Sequence, residues 1–440
     1  MTYVVGKNKR ILDFIIYSAI IFIVGYFLVS LNYSNSRNDV LLSLFAIGIY
    51  SFIAIVSNKS NINIRKNFHI FVFIFFFMAP LQQYTTDIVL WRGNGLAVSY
   101  SHNDYLKTSF LVLLAMVIFD VGYLTSKSRV KSDDKTEKNT ISLNQSRAWI
   151  LVLMSSVAFL ILALTNNIVA KNNFIGNINL YTQICNMLRF IPVCSLLFSW
   201  MYVKEYGWKN RRLLTFVVLF ETLLIFFPIW GILARYILFG TYIVLYSFWY
   251  SDSKYKSVYF AIILIGFCTS FSELRYNTSI SNIIQGFSLN FNSPDFDAFQ
   301  ITMAGVKYVD EFGSFNFLNI ISSLLFIVPR SVIPWKLEST GALVVRHYGS
   351  WFENVSSSIF LEFYAAAGII GVILLSFLLG RIICKIDSYS STDNYIQKTV
   401  FCIITGLSIY IFRGSMLAAF AFTGGVLLSV FFLYYICRIK

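Results

Sequence analysis

At 440 residues, with 57% hydrophobic and only 13% charged, the chain is too apolar for a water-soluble fold, because soluble domains carry about 25% charged residues. Mean hydropathy is +0.68 and net charge +14. The basic residues sit mostly on short segments between apolar runs, which excludes a nucleic-acid patch and reads instead as a membrane orientation signal.

In chain order, the basic head MTYVVGKNKR precedes an apolar run over 11–31. That run is too long for the core of a signal peptide and is expected to remain as a first span. Further spans are predicted at 40–57, 67–82, 108–125, 148–166, 180–203, 213–231, 235–250, 258–274, 359–380, 396–412 and 415–437. The expected fold is an all-α polytopic membrane protein with about twelve transmembrane helices, each near the length a bilayer requires. With the N-terminus inside, 23 of the 35 basic residues fall on inner segments, among them Arg10, Arg65, Lys66, Lys127, Arg147, Arg211, Arg212, Arg381 and Lys398. Both termini are then cytoplasmic. None of the six cysteines falls in an outer loop, so no disulfide framework is expected.

Two inter-span segments stand out beside a polar, charged linker at 126–147. The outer loop 83–107 contains WRGNGLAVSYSHNDYL. A much larger outer segment runs over 273–358, and within it FNFLNIISSLLFIV is apolar but too short to span. Crossing there would turn Arg381, Lys385 and Lys398 outward, so an interfacial or re-entrant helix is expected. The prolines of VPRSVIPW stop it.

Six arginines stand at membrane depth or outside in the second half: Arg189, Arg235, Arg275, Arg330, Arg346 and Arg413. Each alone could snorkel to an interface. Together they suit a multivalent anion, since guanidinium groups grip phosphate oxygens bidentately. On an outer membrane surface a lipid pyrophosphate is such an anion.

Glycosyl transfer from a lipid pyrophosphate needs a general base for the acceptor hydroxyl and positive charge for the departing pyrophosphate. Candidate bases on the outer side are Glu362, Glu353, His347, Asp295, Asp297, Glu273 and His102. Glu362 opens the span IFLEFYAAAGIIGV, where partial burial raises a carboxylate's proton affinity. It could equally be a structural partner of one of the arginines. His347, in VVRHYGSW, is of the residue type suited to a base near neutral pH, or is simply an exposed loop histidine. The pair Asp295 and Asp297 spells DxD, a spacing common by chance, and no metal or cofactor is expected.

The string FIVPRSVIPWKLESTG (326–341), followed by EFYAAAGIIGV (362–372) and the Arg413-Gly414 pair, resembles the Wzy family of O-antigen and capsule repeat-unit polymerases. The likeness covers mainly 230–430. The family's usual PRSIWP-KP is rearranged here, with Pro334 before Trp335 and no proline after Lys336. The resemblance implies a C-type glycosyltransferase fold and an inverting, metal-independent polymerisation at the periplasmic face of the bacterial inner membrane. The substrates would be undecaprenyl-pyrophosphate-linked oligosaccharides. The residues themselves offer Glu362 and His347 as catalytic groups and Arg189, Arg235, Arg275, Arg330, Lys336, Arg346 and Arg413 for the pyrophosphates, and the resemblance likewise implies arginines there. A chain-length regulator and a flippase are candidate partners. An O-antigen ligase and, from another class, a lipid-linked oligosaccharide flippase are the alternatives; the chain shows no internal repeat of the kind transporters carry.

Overall fold

A backbone in lipid has to satisfy its own polar groups, and the apolar runs of this chain do so as helices. The computed structural model describes residues 38–58, 63–130, 143–165, 180–208, 211–226, 291–392 and 394–438. Among the described residues six helices precede the segment 273–358: α1 (Asn38–Ser57), α2 (Ile64–Thr85), α3 (His102–Val130), α4 (Gln145–Leu164), α5 (Leu180–Tyr206) and α6 (Arg211–Phe226). Three lie within it: α7 (Ala298–Phe312), α8 (Leu318–Leu324) and α9 (Thr340–His347). Three follow: α10 (Ile359–Ser388), α11 (Tyr395–Arg413) and α12 (Met416–Cys437). Polar residues just ahead of the apolar runs start several of them. The side chains of Asn63, Asn144, Ser358, Asn394 and Ser415 each accept a backbone N–H of the first turn.

Among the described residues seven helices are long and apolar enough to cross a membrane: α1, α2, α3, α4, α10, α11 and α12. The expectation of about twelve spans is therefore met only in part. The predicted spans 11–31, 235–250 and 258–274 lie outside the described residues. The predicted spans 180–203 and 213–231 coincide with α5, whose apolar stretch is Met187–Val203, and with the shorter α6. Large apolar side chains such as Ile49, Phe110, Leu153, Leu219, Ile370 and Phe431 are exposed on these helices, as lipid contact requires.

α2 is the central helix. Its Phe68 stacks on Phe119 of α3 with ring centroids 4.1 Å apart and meets Phe412 of α11 edge-on at 5.3 Å. Phe76 meets Phe360 of α10 at 4.9 Å. α3 and α10 lie backbone to backbone: a Cβ on Gly122 would come within 2.3 Å of the Phe377 carbonyl oxygen, and one on Gly380 within 2.1 Å of that of Phe119. Small residues allow this approach where no hydrophobic drive separates helix from lipid. At the C-terminal end of α10 Asp387 accepts from Ile64 N at 2.7 Å and Tyr123 Oη at 3.0 Å. Nearby, Asp120 takes Arg65 Nε at 2.7 Å and Tyr50 Oη at 2.9 Å, so α1, α2, α3 and α10 are fastened there.

α10 is broken. Ala367 (φ −160°, ψ 39°) and Gly368 (φ 57°, ψ −141°) leave the helical region, and Gly368 holds a left-handed φ that suits glycine. The carbonyls this frees are satisfied by the chain ahead of α8: Phe315 N donates to Ala365 O and Phe317 N to Ala366 O, both at 2.8 Å. From Gly368 to Ser388 the helix is about 30 Å long, which alone crosses a hydrocarbon core. Its lipid-facing side chains, Ile369, Ile370, Ile373 and Leu374, begin just after the break, whereas 359–366 are buried throughout.

The two predicted outer loops pack on each other. Ala97 N donates to Tyr348 O at 2.9 Å, Trp351 N to Asn94 O at 3.3 Å, and Trp91 stacks on Phe352 at 4.7 Å. Within FNFLNIISSLLFIV only Leu318–Leu324 is helical, and its polarity is inverted. Leu318, Ile321, Leu324 and Ile327 are exposed, whereas Asn319, Ser322 and Ser323 are buried. Phe326 then lies against Gly424, about 12 Å along α12 from its first residue.

Candidate functional site

The segment 291–358 and the helix ends beneath it are organised around three carboxylates. Glu362, in the first turn of α10, is 2% exposed. Its Oε1 accepts from Ser357 Oγ at 2.9 Å and from Met416 N, at the start of α12, at 3.1 Å. Its Oε2 accepts from Asn319 Nδ2 at 3.0 Å and Thr340 Oγ1 at 2.6 Å. Four donors fill the lone-pair directions of a carboxylate, and the N-terminal end of α12 adds its partial positive charge. The partners are neutral, so the arginine considered from sequence as a structural partner is replaced by hydroxyl, amide and backbone donors. α8, α9, α10 and α12 are joined at this point, and a substrate hydroxyl would have to displace one of these donors.

Asp297 is the second centre, fully buried at the start of α7. It accepts from Trp91 Nε1 at 2.8 Å, Ser356 N at 3.2 Å, Ser356 Oγ, and Arg413 Nη2 at 3.0 Å. Arg413, at the turn between α11 and α12, also stands 6.0 Å over the Phe75 ring, and its carbonyl takes Ser357 N at 3.2 Å. The DxD spacing therefore does not create a metal pair, because the Asp297 oxygens are committed to organic donors. Among the described residues no group of three or more His, Cys, Asp or Glu could hold a metal ion.

Glu338 is the third, and it differs from the others in facing solvent. Its Oε1 takes Arg330 Nη1 at 3.1 Å and its Oε2 takes Arg346 Nη2 at 2.8 Å, while Arg346 Nε donates to Glu353 Oε1 at 2.7 Å. The hydrogen bond to Glu353 raises the Arg346 pKa and correspondingly lowers that of Glu353. Two guanidinium groups thus meet on one small anion at the surface, with Val332, Trp335 and Trp351 exposed in the same segments. Exposed ion pairs of this kind contribute little stability and exchange readily.

The remaining sequence candidates separate. Lys336 turns inward, and its ammonium donates to the carbonyls of Leu325, Phe326 and Val328 at 2.9, 3.2 and 3.0 Å. All three of its protons close the end of α8, so the pyrophosphate role expected for it is taken by a capping role. Burial, reinforced by Arg330, lowers its pKa. His347 ends α9, exposed on one side and packed edge-on against Phe312 at 4.6 Å and Tyr308 at 5.3 Å. Glu362 meets α9 at Thr340, about 10 Å of helix away from His347, so the two catalytic candidates are not together. Arg189 lies half-buried within α5, three residues before Pro192. Arg235 and Arg275 lie outside the described residues.

Sequence reasoning missed Glu338 and the structural weight of Asp297, Asn319 and Thr340. Glu338 was visible in KLESTG as an acid between two basic candidates; the others are marked only by being polar in apolar surroundings. No family model, curated protein or solved structure matches the chain.

Proposed function

We propose that this membrane-embedded protein polymerises oligosaccharide repeat units carried on undecaprenyl pyrophosphate, at the outer face of the bacterial inner membrane. The observation that carries the reading is the convergence of Arg330 and Arg346 on the carboxylate of Glu338 beside exposed Trp335. Glu338 stands where an incoming phosphate would, and both guanidinium groups can exchange it for phosphate oxygens. The resemblance of 326–341 and 362–372 to the repeat-unit polymerases supports the same chemistry.

In this reading the acceptor hydroxyl of one lipid-linked unit attacks the anomeric carbon of another. The carbon–oxygen bond to pyrophosphate breaks, and the negative charge that develops on the leaving group falls on Arg330 and Arg346. The hydroxyl proton passes to His347, whose ring is accessible, rather than to Glu362, whose oxygens are filled.

The test is complementation of a deletion strain, read as the surface-polysaccharide ladder with membrane expression checked. Arg330→Ala and Arg346→Ala are each expected to shorten the ladder, and the double variant to leave a single repeat unit on the lipid A core. Full ladders from the double variant at normal expression overturn the proposal. Polymer accumulating on its carrier in the deletion strain identifies a ligase instead, and single units trapped in the inner leaflet identify a flippase.

A further inference from the structure

Glu221, on α6, is 0% exposed, and neither carboxylate oxygen completes a hydrogen bond. The polar side chain beside it is Ser155 of α4, also fully buried, whose Oγ reaches Ser195 Oγ of α5 at 3.3 Å. One turn further along α5, the buried Ser199 Oγ also has no hydrogen-bond partner. The three helices pack on one another.

Depth can be read from each helix separately. Glu221 stands ten residues from Arg211, Ser155 ten from Gln145, and Ser195 eleven from Tyr206. At 1.5 Å per residue each lies about 15 Å from the inner end of its helix, near the middle of a hydrocarbon core about 30 Å thick. An acid at that depth is costly and is normally matched by a partner. The acids Asp120 and Asp387 have theirs in Arg65, Tyr50, Tyr123 and the α2 backbone. Among the described residues Glu221 has the Ser155 hydroxyl beside it, backed by that of Ser195, and no basic group in contact. Hard oxygen ligands without a protein cation fit a small, hard, monovalent ion.

We infer that Glu221, with Ser155 and Ser195, forms a mid-membrane binding site for a hard monovalent cation, a proton or sodium. Occupancy neutralises the carboxylate and supplies its missing partner. The site lies well below the outer arginines and does not depend on the function proposed for them.

The test is infrared difference spectroscopy of the full chain in lipid nanodiscs, wild type against Glu221→Gln, stepped from pH 5 to 9 in sodium or choline chloride. A protonated-carboxyl band missing from Glu221→Gln and fading as pH rises in either salt identifies a proton site. The same band fading at fixed pH with sodium but not choline identifies a sodium site. Ser155→Ala is expected to weaken the occupancy so measured roughly tenfold, as loss of one ligand to a charged group does. A band constant across pH and salt, or no such band under any condition, overturns the inference, because the carboxyl then exchanges no cation.

Discussion

Replacing Glu362 by glutamine exchanges one carboxylate oxygen for an amide nitrogen, and that nitrogen would face two groups that already donate. Ser357 and Thr340 can rotate their hydroxyls to accept, but Met416 N and Asn319 Nδ2 cannot. Glu362→Gln is therefore expected to lower stability by roughly 1–3 kcal/mol, the range for stranding a buried donor. Thermal unfolding in detergent checks this: a midpoint unchanged from wild type, in an inactive variant, would return Glu362 to the role of catalytic base. The acid itself was legible as a lone carboxylate at the start of an apolar run. Its partners were not, because Thr340, Asn319 and Met416 lie 22, 43 and 54 residues away in the chain. Lys336 misled for a related reason. Its charge is plain in sequence, but three carbonyls of a helix end compete for it, and a carbonyl cluster has no signature in residue type.

The elements divide along the same line. Spans were legible because lipid imposes length and apolarity together: α1, α2, α4, α5, α11 and α12 begin and end within three residues of the predicted spans, whereas α10 runs eight residues past its predicted end and α3 begins six residues early and ends five late. The break in α10 was not, since AAAG reads as close packing until Gly368 is seen at φ 57°. No heavy atom outside its chain neighbours stands within 4 Å of a Cβ built there, so a substitution is penalised by backbone strain alone. Gly368→Ala is expected to cost about 1–3 kcal/mol, read as a lowered unfolding midpoint. Gly93→Ala, equally uncrowded and without a positive φ, serves as the neutral control. Equal midpoints for the two would mean that α10 straightens without penalty. α8 was legible as an apolar stretch, and its inverted polarity follows from what it packs on: Asn319 turns to Glu362 and Ser322 to Leu337 N, which leaves Leu318, Ile321 and Leu324 exposed.

At the scale of the whole molecule, hydropathy places the helices, while a few long-range polar contacts fasten the segment 291–358 upon them. The bond from Met416 N to Glu362 and the ion pair from Arg413 to Asp297 both come from the turn between α11 and α12. A chain ended after Gly414 keeps Arg413 but loses Met416, Phe326's neighbour Gly424, and the rest of α12. Protease added from outside to spheroplasts is expected to cut 313–358 in that truncated chain while sparing it in the full one. Equal resistance in both would mean that this segment holds itself together. The tie at Met416 also has a consequence for biosynthesis. Residues 291–358 are translated before α12, and during that interval one of the four donors to Glu362, Met416 N, does not yet exist. The contacts of Glu362 are thus completed only when the closing hairpin is made, and a chain terminated ahead of α12 is expected to lack them.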